Sequence, residues 1–243
     1  MAERAALITG ASGGIGLAIA AALAEEGYAL TLSARRPEKL EDSVAHLREA
    51  GHEVQTVAAN VSDEDEIKSV FTTHEERFGR LDVLVNNAGV GIGAPLDEIQ
   101  TKFLDMQLTV NLRSVILGTR EGLPLLRKAG AEHRKALIVN TASIAGKTGQ
   151  PWLSIYGATK AAVLNFSVAT EREVGGEGIS CTALAPAFVD TDMTDFAKEA
   201  VPAEAMIRPS DMGEAMRLLL RVSPNCHIPE IVFTRPGEAI GAP

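Results

Sequence analysis

At 243 residues, 46% apolar, 4% aromatic and 23% charged, the chain has the makeup of one large α/β domain with an aliphatic, alanine-rich core. A net charge of −9 without any basic block argues against a nucleic-acid partner, because phosphate binding needs clustered Lys and Arg. Two isolated cysteines, Cys181 and Cys226, argue against a disulfide framework, and five scattered histidines offer no metal-ligand spacing, so no metal site is expected.

In chain order, the first strand is predicted over 5–9, and a helix opens over 15–26 directly after a glycine-rich turn. A strand at 29–33 and a helix at 38–50 follow, then a strand at 54–58 and a helix at 64–78. Beyond them come a strand at 81–86, a long helix at 101–128, a strand at 136–141, a helix at 154–174, a strand at 180–185, a helix at 210–222 and a last strand at 231–234. Gly27, Gly51 and Gly79 stand where three of these helices should stop. This alternation predicts a Rossmann-type, doubly wound parallel sheet of about seven strands with helices on both faces, in a single domain. No signal-peptide layout is seen, and no apolar run nears the ~18 residues of a membrane span, so a cytoplasmic protein without a membrane partner is expected.

The turn after the first strand reads Thr9-Gly10-Ala11-Ser12-Gly13-Gly14-Ile15-Gly16. Glycines there let the backbone approach a pyrophosphate, and the free N–H groups and dipole of the helix start favour an anion. Gly10, Ser12, Gly14, Ile15 and Gly16 are therefore candidate cofactor contacts. The alternative is a turn built only for close strand–helix packing.

Further marks follow in order. Asn86-Asn87-Ala88-Gly89 closes the fourth strand, and Asn111 lies in mid-helix. Ser143 follows the fifth strand, and Tyr156 and Lys160 form Y-x-x-x-K thirteen residues beyond it. Pro186-Ala187-Phe188-Val189-Asp190-Thr191 closes the sixth strand. In their joint order and spacing these motifs resemble the short-chain dehydrogenase/reductase family over nearly the whole chain.

The resemblance implies an oxidoreductase that moves a hydride between a nicotinamide and a carbonyl or secondary alcohol of a small-molecule substrate. Its catalytic set would be Asn111, Ser143, Tyr156 and Lys160. Tyr156 and Lys160, four apart in a helix, share a face. A free tyrosine has a pKa of ~10, and a neighbouring ammonium favours the phenolate. Lowering that pKa by ~3 units needs ~4 kcal/mol of preferential stabilisation, which Lys160 and the positive charge of an oxidised nicotinamide would supply together. Ser143 would hydrogen-bond the substrate oxygen where charge develops. In the family the asparagine corresponding to Asn111 orders a water for the proton relay.

Cofactor contacts carry over to Asn87, Ala88 and Gly89 beside the adenine ribose, and to Pro186, Val189 and Thr191 beside the nicotinamide; Tyr156 and Lys160 also meet the cofactor. Asn60-Val61 stands where relatives often have aspartate and valine at the adenine, and Ala187 replaces a usual glycine. After the second strand the chain reads Ser33-Ala34-Arg35-Arg36. Relatives using NAD place an aspartate at the position of Ala34 to hold the ribose 2′-hydroxyl. Here Arg35 and Arg36 suit a 2′-phosphate, with Ser33 adding a hydrogen bond, so NADP(H) is the expected cofactor. Residues 190–208 are expected to form a substrate lid, with Phe188, Met193, Phe196, Met206 and Trp152 as candidate lining. The end of the chain, 235–243, lacks the family's common V-x-G-G close, which speaks against a 3-oxoacyl-carrier-protein reductase. The helices at 101–128 and 154–174 imply a homo-oligomer, dimer or tetramer, by resemblance. A competing class is a non-catalytic nucleotide-binding sensor on the same fold, which usually lacks the tyrosine or lysine. Another is an extended-branch sugar-nucleotide epimerase or dehydratase, which usually needs a longer C-terminal substrate domain.

Overall fold

A computed structural model of the chain describes residues 3–237. The C-terminal reading at 235–243 therefore lies mostly outside the described residues. Strands β1 (Ala5–Thr9), β2 (Ala29–Ala34), β3 (Val54–Ala58), β4 (Val83–Asn86), β5 (Ala136–Thr141), β6 (Ile179–Pro186) and β7 (Glu230–Phe233) form one sheet in the order β3-β2-β1-β4-β5-β6-β7. Every neighbouring pair is parallel. Helices α1 (Gly14–Glu25), α2 (Pro37–Glu49), α3 (Glu64–Phe78), α4 (Thr101–Leu108), α5 (Ser114–His133), α6 (Ser154–Val174) and α7 (Pro209–Arg221) cover both faces.

Alternate residues of each central strand feed opposite faces, as the two-residue period of a strand requires. Ala6 and Ile8 of β1, Val83 and Val85 of β4, and Leu137 and Val139 of β5 join a core with α1, α2 and α7, built on Ile19, Leu23, Leu40 and Met216. Leu7, Leu84 and Ile138 join a second core with α3 and α5, built on Ile67, Phe71, Leu117 and Leu126. Both faces being covered is why these strands are near-continuous apolar runs. Winding starts at β1, runs outward to β3, then returns to β4, so the order reverses between β1 and β4. The carboxyl ends of those two strands open the crevice where doubly wound sheets bind ligands.

The long helix expected at 101–128 is divided. Between α4 and α5, residues Thr109–Arg113 form a π turn in which the amide of Ser114 reaches back to the Thr109 carbonyl. Pro124 then lies inside α5, which runs on to His133. Such single π turns carry one extra residue and re-aim the side chain at their centre. Here that side chain is Asn111.

Candidate active site

The glycine turn leaves β1 and is pressed against the end of β4. A Cβ on Gly10, whose φ is 68°, would lie 2.8 Å from Ala88 Cα. One on Gly16 would lie 2.5 Å from the Gly10 carbonyl oxygen and from Asn87 Nδ2. One on Gly14 would lie 2.8 Å from Thr191 Cγ2. The turn is thus a backbone cradle that side chains would fill, at the start of a helix whose N–H groups face outward. Asn87 braces it: Nδ2 donates to the Thr9 and Gly10 carbonyls, each at 3.1 Å, and Oδ1 accepts from Thr141 Oγ1 at 3.1 Å. Thr9 Oγ1 in turn accepts from the amides of Asn87 and Ala88, at 3.1 and 3.2 Å. Ser12 touches α2 through its carbonyl, which accepts from Ser43 Oγ at 3.0 Å.

Across the crevice, Ser143 follows β5, and Tyr156 and Lys160 stand on one face of α6. Lys160 is buried, and its Nζ donates to the Thr141 carbonyl at 2.7 Å while lying 5.7 Å from the Tyr156 ring centroid. Burial pushes Lys160 down to about 8. Burial also pushes the Tyr156 phenol above its ordinary value, with a hydrogen bond to Ser143 pulling the other way. In the protein alone desolvation is thus the larger influence on this phenol, whereas the shift toward phenolate is expected of the site when Lys160 acts together with an oxidised nicotinamide. Ser143 Oγ lies 3.2 Å from the Ala145 amide and 3.4 Å from the Pro186 carbonyl, which fixes the hydroxyl at the floor of the site.

Asn111 is fully buried, and the π turn aims it at Val90. Its Oδ1 accepts from the Val90 amide at 2.8 Å, and its Nδ2 donates to the Val90 carbonyl at 2.9 Å and to Thr159 Oγ1 at 3.2 Å. A Cβ on Gly89 would sit 3.5 Å from Asn111 Oδ1 and 3.6 Å from Lys160 Nζ, so only a bare backbone separates the two.

Arg35 and Arg36 are exposed just after β2, at the mouth of the crevice. Ser33 does not join them. It is 1% exposed, and its hydroxyl, without a hydrogen-bond partner, faces a small cavity with Ile67, Val70 and Phe71, because strand alternation points residue 33 at α3. Ser33 is therefore removed from the expected 2′-phosphate contacts. Asn60 uses Oδ1 to accept from the Ser62 amide at 3.1 Å, leaving that oxygen one further lone pair. Val61 packs beside the α3 core. Ala187 needs no glycine: among the described residues only Arg134 and Trp152 are non-glycines with positive φ. Val189 is buried, so its side chain meets the protein and only its main chain is left to face a ligand.

Residues 190–208 leave β6 and return through a parallel bridge between Val189 and Ile207. Short 3-10 turns at Asp192–Ala197 and Ala203–Ala205 fill the loop. Lys39 of α2 pairs with Asp192 at 2.7 Å, and Met193 lies beside Gly91 near Tyr156. Met206, expected as lining, is buried. Sequence reasoning missed Thr9, Thr141 and Gln107. The first two share a signal: each is a polar residue ending an apolar strand on the crevice side.

Fold and site together define a dinucleotide-binding α/β protein with a serine, tyrosine and lysine gathered at the carboxyl ends of its strands. A family model described as short chain dehydrogenase matches residues 4–202. The chain belongs to the short-chain dehydrogenase/reductase family of oxidoreductases. It is 37% identical over 193 residues to a 3-oxoacyl-[acyl-carrier-protein] reductase of Staphylococcus aureus, covering 79% of this chain and 77% of that one. It is 35% identical over 194 residues to a 3beta-hydroxysteroid dehydrogenase of Mediterraneibacter gnavus, covering 79% and 68%. Among solved structures, an alcohol dehydrogenase from the archaeon Thermococcus sibiricus complexed with 5-hydroxy-NADP superposes with a TM-score of 0.87 at 31% identity, over 97% of this chain and 98% of that one.

Proposed function

We propose that the protein is an NADP(H)-dependent oxidoreductase that interconverts a carbonyl and a secondary alcohol on a small, apolar molecule. The observation that carries this reading is the meeting of Ser143, Tyr156 and Lys160 beside a side-chain-free glycine cradle. A cofactor fits the cradle: Gly10, Gly14 and Gly16 leave room for a pyrophosphate where any Cβ would intrude. Arg35 and Arg36, exposed just after β2, suit an adenosine 2′-phosphate and carry no ion-pair partner among the described residues, whereas Ala34 offers no carboxylate to repel it. The nicotinamide, when bound, supplies or accepts the hydride. The similar archaeal alcohol dehydrogenase is complexed with 5-hydroxy-NADP, which supports the choice of cofactor.

The chain's own residues handle the proton. Tyr156, a protonated phenol, donates its proton to the carbonyl oxygen, and Ser143 hydrogen-bonds that same oxygen as charge builds on it. Lys160 stabilises the phenolate left behind, and Asn111 holds the backbone at Val90 that borders the site. Residues 190–208 cover the crevice as a lid.

Steady-state rates with NADPH and NADH, for wild type and three variants, test the reading. Tyr156→Phe should cut kcat by orders of magnitude with NADPH binding retained, since the hydroxyl acts only in the chemical step. Arg35→Ala should lose about 10- to 100-fold in kcat/KM for NADPH, the worth of one charged hydrogen bond, with NADH little changed. Ala34→Asp should move preference toward NADH. Near-normal turnover by Tyr156→Phe refutes the proton donor, and a loss shared by both cofactors in Arg35→Ala refutes the phosphate contact.

A further inference from the structure

Trp152 takes a backbone conformation that bulky residues avoid. Its φ is 51°, in the left-handed region, and such a conformation persists only where neighbours hold it. Three neighbours do. The Ala94 amide donates to the Trp152 carbonyl at 2.8 Å. The indole rests against Gly93, where any Cβ would overlap the ring at Cε3. Phe196 of the lid meets the indole edge-on, with centroids 5.7 Å apart at 82°, and Phe188 meets Phe196 at 6.3 Å and 76°. Despite these contacts Trp152 remains 49% exposed, so burial in a core is not what the strained backbone secures.

The indole stands at the edge of the site. Gly91, two residues before Gly93, faces Tyr156 and Met193: a Cβ there would lie 3.8 Å from Tyr156 Cε2 and 3.7 Å from Met193 Sδ. The segment between them is pinned from behind by two amides one helical turn apart. Asn111 grips Val90, and Gln107 Oε1 accepts from the Ile92 amide at 3.2 Å. Residues 90 and 92 thus turn to the helix, and residues 91 and 93, both glycine, turn to the site. The wall beside Tyr156 is bare backbone, and an aromatic ring is set on it. In a chain only 4% aromatic, the single Trp, one of two Tyr and two of seven Phe are gathered at this one place.

We infer that Trp152 is the specificity-determining residue of the site, and that its exposed indole is the platform for a planar apolar substituent, an aryl or fused ring, on the carbonyl substrate. This rests on the oxidoreductase reading and narrows its substrate class. The carbonyl oxygen meets Tyr156 and Ser143 while the ring attached to the carbonyl carbon stacks on the indole. A straight alkyl chain of equal carbon count lacks the flat face that stacks, and its free rotors must be ordered on binding.

The test compares kcat/KM for acetophenone and 2-octanone, with NADPH and the full-length protein. Wild type should favour the aryl ketone by about tenfold or more, the scale of one aromatic stacking contact with its buried area. Trp152→Gly, which suits the left-handed backbone and so leaves the fold unstrained, should abolish the preference while NADPH affinity holds. Trp152→Phe should retain most of it. Gly93→Ala, which pushes the indole off the wall, should lower the ratio with the tryptophan still present. A ratio unmoved in Trp152→Gly overturns the inference while leaving the enzyme reading standing. A wild-type protein that binds NADPH yet reduces neither these ketones nor a broad panel of others overturns both.

Discussion

At the scale of the residue, the deciding quantity is how deeply Lys160 is buried. Its ammonium meets the Thr141 carbonyl but no carboxylate, so desolvation wins and its pKa falls from 10.5 to about 8. In the free protein the charge is therefore half gone near pH 8. Because kcat/KM reports groups of the free enzyme, kcat/KM for NADPH should fall by up to about tenfold per unit above pH 8. Lys160→Arg, which stays charged, should flatten that limb. Stability should run the other way. Between about 8 and 10.5 the unfolded chain holds a proton on this lysine that the folded chain has released, so this group favours folding increasingly as pH rises through that window. The Tyr156 phenol, raised rather than lowered, opposes it only above its ordinary value of 10. Activity should thus drop between pH 8 and 9.5 with no fall in the urea midpoint. A flat kcat/KM profile over that range would show that the lysine keeps its ordinary pKa.

At the scale of the element, the π turn makes two amides of one helix face energetically unlike. Asn111 makes three hydrogen bonds, two of which satisfy both polar groups of Val90. Asn111→Leu leaves those backbone groups unpaired and should cost about 2–4 kcal/mol, lowering Tm by roughly 5–15 °C in a chain of this size. Gln107 spends one bond on Ile92, and its buried Nε2 has no partner. Gln107→Met should therefore change stability by less than about 1 kcal/mol, since the half-buried Ile92 amide it leaves unpaired is offset by removing an orphaned, buried donor. Thermal unfolding of the two variants decides it, and equal losses would refute the distinction. The turn itself was invisible in the sequence. Apolar periodicity over 101–128 reads as one helix, because a single inserted residue shifts the phase too little to break the pattern. Strand and helix order was legible, since the buried strands are apolar runs and Gly27, Gly51 and Gly79 each mark a helix end with positive φ. Tyr156 and Lys160 were legible from their spacing, because four residues in a helix set two side chains on one face. Ser33 was misplaced because register along a strand, not distance from the arginines, decides which way its hydroxyl points. Trp152 carried no signal of its backbone conformation, since a tryptophan is the last residue expected at positive φ.

At the scale of the whole molecule, one face of the α4–α5–α6 layer lacks a cover among the described residues. On α6, Ala158, Ala161, Asn165, Val168 and Ala169 are exposed at helical spacing, a stripe of small and apolar side chains. The opposite side of the same helix buries Lys160 and Val163. Beside it, Leu108 and Ile116 are 42% and 40% exposed, and Val168 is 40% exposed. The arginines that flank Ile116 are drawn aside: Arg113 and Arg120 both pair with Glu64 of α3, at 2.7 and 2.9 Å. The stripe is thus left uncharged, and its small residues allow two helices to approach at about the 8 Å lower limit of helix packing. A second copy related by a two-fold axis would present the same stripe and cover it with its own. We therefore expect a dimer, or a tetramer made of two, in which α5 and α6 pair across the axis. Each copy carries a net charge of −9, so association must overcome like-charge repulsion. Added salt should tighten it, because the Debye length shrinks from about 10 Å at 0.1 M to about 3 Å at 1 M while apolar burial is undiminished. Light scattering should show a particle at least twice 25.7 kDa at micromolar concentration. Val168→Arg combined with Ile116→Arg should return it to 25.7 kDa with the fold intact, since both positions point outward. A wild-type particle of 25.7 kDa, or one that dissociates as salt is raised, would refute the apolar pairing.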